Sequence, residues 1–416
     1  MGEDVKAIIG SLLINGTQKE ALRDGVVIIE GDRIREVGQR DEVTIPHGIK
    51  IFDGTGMTIM PGLIDAHVHL TGRRRGDTTG RYDTALSIAR AISDAYNMLE
   101  HGVTAARCCG SPYTPSIKRA IEEGTIEGPR FMASGAFISQ TSGHGDIHHL
   151  PLEWVRGIRV IADGVTECRR AVRERLRNGA DFIKVMAGGG TSSQLDELEY
   201  PQFSPEELKA IVYEAHCVGK MVAAHAHGLT PIRHALACGV DSIEHGTAID
   251  EEAALMAAES GRFIVRNCYT PIRAYEETKG FTEIGDYTEW AFRRHKINYE
   301  HNKTTVRLCR EMGCKQAIGP DVTGCEPYDV IPKNMKAFME LGGYSAMEAI
   351  SCCTKTGSEV MGLGDRIGTL ERSKIADIMV VDGNPLEDVM VLAPKENIRL
   401  VMKGGKPVIL RGIKIT

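Results

Sequence analysis

From Pro61 to about Gly364, short apolar runs alternate with amphipathic segments of helical period. The runs are GLIDAHVHL, VTAARC, RFMASGA, FIKVMA, MVAAHA, SIEHG, RFIVRN and KQAIGPD, each of strand length. Strands alternating with helices build a parallel sheet, and eight such units are the number that closes a barrel. The pattern predicts an α/β fold whose main unit, residues 61–364, is a (β/α)8 TIM-type barrel.

Capping residues sharpen the helix boundaries. Ser204, Pro205 and Glu207 supply an N-cap, a first-turn proline and a capping-box acid, and Gly219 ends that helix. Asp250 and Gly261 bracket the next helix in the same manner. Outside the barrel the texture changes. KAIIGSLLI, GVVIIEGDRIREVG and IKIFDGTGMTIM read as strands, with Gly31-Asp32 as a hairpin turn. ADIMVVDGNP and IRLVMKGGKPVIL have the same texture near the other end. Either segment alone would leave an apolar face uncovered. Residues 1–60 and 365–416 are therefore expected to combine into one small β-sandwich.

The length of 416 residues suits a barrel with such a companion, and the net charge of −6 provides no basic stripe for nucleic acid or anionic lipid. A small molecule is the expected partner. No apolar run is long enough to span a membrane, and the first residues, MGEDVKAIIGSLLING, lack the basic start of a signal peptide. A cytoplasmic protein is expected, and a homo-oligomer, because symmetric self-association is common. The eleven cysteines are scattered, with adjacent pairs at Cys108/Cys109 and Cys352/Cys353. They suggest buried reduced thiols rather than a disulfide framework.

Candidate chemistry collects where barrel enzymes place it, at the ends of strands. His67 and His69 close the first strand, and their spacing of two puts both imidazoles on one face. Lys184, His225, His245 and Asp321 occupy the matching ends of later strands. Singly, each has an ordinary structural use: a lysine can snorkel and an aspartate can cap. Six ligand-type side chains at the ends of five strands point instead to a metal site. His227, two residues beyond His225, shares its direction and is either a competing ligand or a donor facing the substrate. His144 lies in a Gly-rich loop after the third strand, where an imidazole can bond a developing oxyanion or a substrate carboxylate. Arg73, Arg74 and Arg75 could hold a carboxylate at the barrel mouth, although such a run is more often a solvated loop. Gly188, Gly189 and Gly190 follow the lysine strand without a phosphate-loop pattern and read as a loop near the substrate.

PGLIDAHVHL, the strand lysine, the two later histidines and the strand-eight aspartate resemble the amidohydrolase superfamily. SQTSGHGD, KVMAGGG and VAAHAHG are similar to its binuclear prolidase-like and Xaa-Arg carboxypeptidase-like branch, which includes ochratoxinase-like amidases. The resemblance implies two divalent metal ions, with zinc favoured and manganese, cobalt or iron open. It implies His67, His69 and Asp321 on one ion and His225 and His245 on the other. Lys184, carboxylated by CO2 to a carbamate, would bridge them together with a shared hydroxide. An unmodified ammonium between two cations would be repelled. Asp321 would shuttle the proton from attacking water to the leaving amine, while His144 and His227 would be catalytic and substrate-binding contacts. Two departures stand out. Arg107 precedes Cys108 and Cys109 where many relatives have an acid, and the eighth strand ends in GPDVTG rather than G-T-D.

The expected activity is cleavage of an amide or peptide bond in a small substrate such as a dipeptide, an N-acyl amino acid or an ochratoxin-type amide. Hydrolysis of a lactone, carbamate or cyclic imide needs the same activated hydroxide. Deamination is disfavoured, because Gly228 stands where a deaminase of this superfamily places a glutamate. A noncatalytic scaffold is the alternative from another class, and the retention of all six ligand-type residues counts against it.

Overall fold

The computed structural model describes residues 5–74, 83–148, 150–193, 195–278, 289–324 and 328–416. All eight apolar runs of the central region form strands: Leu63–Arg73, Val103–Cys108, Arg130–Ala133, Ile183–Met186, Val222–Ala226, Ser242–His245, Phe263–Arg266 and Lys315–Ile318. Their neighbours pair in parallel, as right-handed β/α crossovers require. The ladder runs as two arcs, one built around Leu63–Arg73 and the other reaching from Val160–Ile161, through Ile138–Ser139, to Lys315–Ile318.

The arcs meet at two seams. At one, the backbone N–H of Asp181 donates to the carbonyl of Ala133 at 2.8 Å, and the Asp181 carboxylate accepts from Ala133 N at 2.9 Å. At the other, Asp321 N donates to the His67 carbonyl at 2.9 Å, and Val322–Gly324 continues alongside the first strand. Gly319 makes this second seam possible, because a Cβ there would lie 2.5 Å from His67 Cβ.

Helices clothe the barrel with one apolar face each. In Pro205–His216, Leu208, Ile211 and Ala215 are fully buried against Val185 and Val222 of the strands beneath. Burial of each leucine- or isoleucine-sized side chain stabilises the fold by about 1.5–3 kcal/mol. The predicted capping box at Ser204 and Glu207 is present, and Gly219 follows the helix with φ +67°. Asp250 caps its helix by accepting from Ala253 N at 2.9 Å.

The flanking strands join in one mixed sheet. Lys50–Pro61 lies between Val5–Leu13, which runs parallel to it, and Ile378–Asp382, which runs antiparallel. Ile398–Lys403 and Lys406–Leu410 extend the sheet on one side, Leu22–Glu30 and Arg33–Gln39 on the other. The predicted turn at Gly31-Asp32 links the last two, with Glu30 opposite Arg33. Ile8, Leu13, Val27, Phe52 and Ile59 from the first chain segment pack with Ile378, Val380, Leu400 and Met402 from the second. The two segments thus form one composite β unit. The ten described cysteines are all free, nine of them buried. No described helix is long and apolar enough to cross a membrane.

Candidate metal centre

Four strand ends and the turn after the eighth strand bring the candidate ligands together. His67 Nε2 lies 3.3 Å from His69 Nε2, and Asp321 Oδ1 lies 3.5 Å and 3.2 Å from these two nitrogens. The His245 ring centroid is 5.1 Å from that of His67, 4.7 Å from His225 and 4.5 Å from His227. Two overlapping groups of donors therefore share His245: His67 with Asp321, and His225 with His227. Lys184 is 2% exposed and lies close enough for its charge to act on His67, His225 and His245.

Backbone geometry makes this convergence possible. His245 and Asp321 have φ of +72° and +60°, a conformation uncommon for residues other than glycine. At His245 the left-handed turn breaks the alternation of the strand. Glu244 and His245 would otherwise point to opposite faces, yet both reach the His67 ring. Such strain persists only where the surroundings hold it, and it concentrates at functional sites.

The electrostatics suit metal ligation. Burial, helped by the nearby Lys184 charge, lowers the His67 imidazole to about 3. Burial likewise lowers His245 to about 4 and takes His225 and His227 well below the usual histidine value. All four rings are neutral at pH 7 and present lone pairs, the form a metal binds. Burial alone would raise the Asp321 carboxyl, but the imidazoles of His67, His69 and His245 hold it far below the ordinary range. It stays an anion.

Two buried atoms in this cluster have no protein partner among the described residues: Lys184 Nζ and His225 Nε2. Leaving an ammonium buried without a counter-group is costly. A cation beside His225 and a modified, anionic Lys184 would satisfy both atoms. The donor set of imidazole nitrogens and carboxylate oxygens therefore fits divalent metal ions.

A buried network supports the cluster from beneath. His67 Nδ1 lies 2.6 Å from Glu244 Oε2, and Glu244 Oε1 accepts from Arg107 Nη2 at 2.5 Å and from Ser242 Oγ at 2.6 Å. Arg107 also donates to the Ala66 carbonyl at 2.8 Å and to Ser242 Oγ at 3.1 Å. Burial pushes the Glu244 carboxyl up, but Arg107 and His67 pull it well below its usual value. Arg107 thus finds its acid on the sixth strand, not beside itself in sequence. Sequence reasoning missed Glu244. Its only signal was its position next to a candidate ligand, on the face that strand alternation assigns elsewhere.

The remaining candidates fall as follows. His227 Nδ1 lies 2.9 Å from Thr247 Oγ1 and 3.2 Å from Asn298 Nδ2. An amide nitrogen only donates, so Nδ1 accepts and the ring hydrogen sits on Nε2. That leaves His227 as a donor beside the ligands. His144, 4.4 Å from His225 and nearly parallel to it, joins the cluster from its loop. Arg74 is held in a bidentate pair with Asp94 at 2.8 and 2.9 Å, away from any carboxylate-binding role. Arg75, His149 and the side chain of Arg73 lie outside the described residues. His101 is buried and bonded to the Asn97 carbonyl, whereas His216 pairs with Asp241 at the surface.

A sequence model of the amidohydrolase family matches residues 58–408, which span the barrel and the strands of the composite sheet that follow it. The chain belongs to that family. Within the amidohydrolases it is 34% identical to ochratoxinase from Aspergillus niger, over 97% of this chain and 86% of the relative. The crystal structure of A. niger ochratoxinase aligns with a TM-score of 0.89 at 31% identity, covering 100% of this chain and 98% of that one. A Xaa-Pro dipeptidase with methionine bound in its active site aligns with a TM-score of 0.87 at 28% identity, over 97% of this chain and 100% of that one. The family, the relatives and the histidine cluster together make this protein a metal-dependent amidohydrolase related to ochratoxinase and the prolidases.

Proposed function

We propose that this amidohydrolase cleaves an amide or peptide bond next to a carboxylate, in a small substrate such as a dipeptide or an N-acyl amino acid. The observation that carries the reading is the convergence of His67, His69, Lys184, His225, His245 and Asp321, with Lys184 Nζ and His225 Nε2 buried and unpartnered. Likeness to ochratoxinase and to a Xaa-Pro dipeptidase, the latter named for a peptide substrate, agrees with it.

In this reading the six side chains hold two divalent ions, zinc by the chemistry of the donors. His225 is the ligand and His227 the substrate contact, because His225 Nε2 is the orphaned atom while the His227 hydrogen sits on Nε2. Lys184 acts as a carbamate: its neutral amine adds to CO2 and releases a proton, leaving an anion where a buried ammonium has no partner. The bound ions supply acidification of water and polarisation of the scissile carbonyl. Asp321, held as an anion between His67 and His69, takes the proton of the attacking water on a carboxylate oxygen and hands it to the leaving nitrogen. His227 donates from Nε2 to an oxygen of the substrate. The barrel carries this chemistry, and the composite sheet buttresses it.

The test is turnover of a panel of dipeptides and N-acyl amino acids by metal-loaded protein, before and after treatment with a chelator. Chelator-sensitive release of the free amino acid supports the reading. Cleavage of esters or lactones with no amide turned over at all would replace it.

A further inference from the structure

The helix Glu289–Glu311, which leads into the eighth barrel strand, buries a polar stripe. A helix on a barrel wall ordinarily turns apolar side chains inward, as Pro205–His216 does. Here the inward positions include Arg294, Asn298, Asn302 and Thr305, three or four residues apart and each no more than 4% exposed. Polar groups buried in this way cost free energy unless they find partners. The partners lead, position by position, to histidines of the metal centre. Asn302 and Thr305 accept from Arg266 at the end of the seventh strand, at 3.2–3.4 Å, and the next residue, Asn267, brings its Oδ1 to 3.1 Å from His245 Nδ1. Asn298 Nδ2 lies 3.2 Å from His227 Nδ1.

Arg294 reaches His144 through a loop. It donates to the Gly190 carbonyl at 2.9 Å and to the carbonyls of Ser193 and Asp196, with Asp196 Oδ1 3.6 Å and Glu197 Oε1 3.5 Å away. Between Met186 and Pro205 the described residues form no strand or helix, only one bridge from Gly188 to Pro201. The guanidinium therefore supplies order that a backbone ladder would otherwise give. The segment it gathers cradles His144: Ser193 Oγ lies 2.7 Å from the ring Nδ1, and Gln202 Oε1 accepts from His144 N at 3.0 Å. Asp196 ties these together, because it bonds to Ser193 Oγ and accepts from Gly190 N at 3.2 Å and Gln202 Nε2 at 3.3 Å. Gly190 lets the segment close on the ring, which a Cβ there would meet at 2.1 Å.

Resting on the amide-hydrolysis reading above, we infer that Arg294 and Asn298 are positioning residues which, from one face of one helix, set the two substrate contacts His144 and His227 relative to each other, so that substrate affinity depends on two side chains that hold no metal. The two residues are about 6 Å apart along the helix axis. Both are buried, and a helix keeps that spacing fixed where two loops would not. A misplacement of about 1 Å at such contacts can cost about 10²-fold in rate.

The first arm of the test needs no substrate. Arg294→Lys keeps the charge but replaces a planar fork by a single point donor, which cannot span three carbonyls. In metal-loaded protein, hydrogen–deuterium exchange should speed up over residues 187–203 and around His144, with metal content and the barrel strands unchanged. Unchanged exchange in both places would overturn the inference, whatever the enzyme hydrolyses. The second arm is kinetic, with a dipeptide or N-acyl amino acid as substrate. Arg294→Lys and Asn298→Ala should each raise KM about tenfold, the scale of one hydrogen bond, at unchanged metal content. A merely structural defect would instead remove active molecules, lowering kcat and metal together and leaving KM alone. In a His144→Gln background Arg294→Lys should add little to KM, and Asn298→Ala should add little in His227→Gln, because the group each one acts through is gone. Fully additive effects would overturn the inference while leaving amide hydrolysis intact. Asn298→Ala removes no charge, so its pairing with His227→Gln decides the matter if the Arg294 variant does not fold. Failure to turn over any amide would defeat the functional reading alone and leave the exchange measurement standing.

Discussion

Glu244 holds His67 from behind: its Oε2 lies 2.6 Å from His67 Nδ1, while its other oxygen is bound by Arg107. The contact fixes which way the imidazole turns and leaves Nε2 to face Asp321 and His69. Partners of this kind orient a metal ligand and raise its basicity. Glu244→Gln should weaken metal binding by about 10- to 100-fold, read by competition with a chelating dye. Unchanged affinity would mean that the packing of strands alone orients His67.

Lys184 is expected to bring about two divalent ions into the site when it is carboxylated. Metal analysis of active protein should approach two ions per chain. Lys184→Ala should lose both metal and turnover and recover part of each with a short-chain carboxylic acid, whose oxygens stand in for the carbamate. Full activity of Lys184→Ala without any added acid would exclude the bridging role.

Asp321→Asn should fold and retain metal, since the histidines remain, but turn over substrate about 10²- to 10⁴-fold more slowly, the range of a lost general acid–base group. The comparison to make is kcat against metal content in the same preparation. A near-normal kcat would pass the proton shuttle to another group.

Acid should destabilise the metal-free protein in a defined window. The folded-state values of His67 and His245, about 3 and about 4, lie below the ordinary 6.5. Below pH 6.5 the unfolded chain takes up protons that the folded chain refuses, so stability present at pH 7 is lost as pH falls. The loss is about 1.4 kcal/mol per pH unit for each such ring, or about 2 kcal/mol per ring between pH 6.5 and 5. Urea midpoints of chelator-treated protein at pH 7 and pH 5 measure it. A flat profile would show that the rings gain protons without opposing the fold.

These expectations indicate which parts of the molecule the sequence makes legible. The eight barrel strands are readable because each is a short apolar run set between helical stretches, and the strand-end ligands are readable because a barrel gathers its strand ends at one mouth. Glu244 was hidden because periodicity sends it away from its neighbour His245, and only the φ of +72° at His245 brings both inward. Asp196, Arg294 and Asn298 were hidden for another reason. They act on His144 and His227 from elements remote in sequence, and nothing in the helix Glu289–Glu311 marks Arg294 and Asn298 as facing the site rather than solvent. Arg74 belongs to a basic run that reads more readily as a loop than as a carboxylate clamp, and its partner is Asp94 on the following helix, a pairing that no local pattern marks.

The composite sheet has a consequence for how the polypeptide is made. Ile59, Met60 and Pro61 find their antiparallel partners only at Ile378, Met379 and Val380, some three hundred residues later. At a synthesis rate of about 5–20 residues per second, this edge waits roughly 15–60 s on the ribosome with its apolar strand uncovered. During that interval the nascent chain has an open flank that other chains or chaperones can reach, and the strand Ile378–Asp382 is the one that seals it.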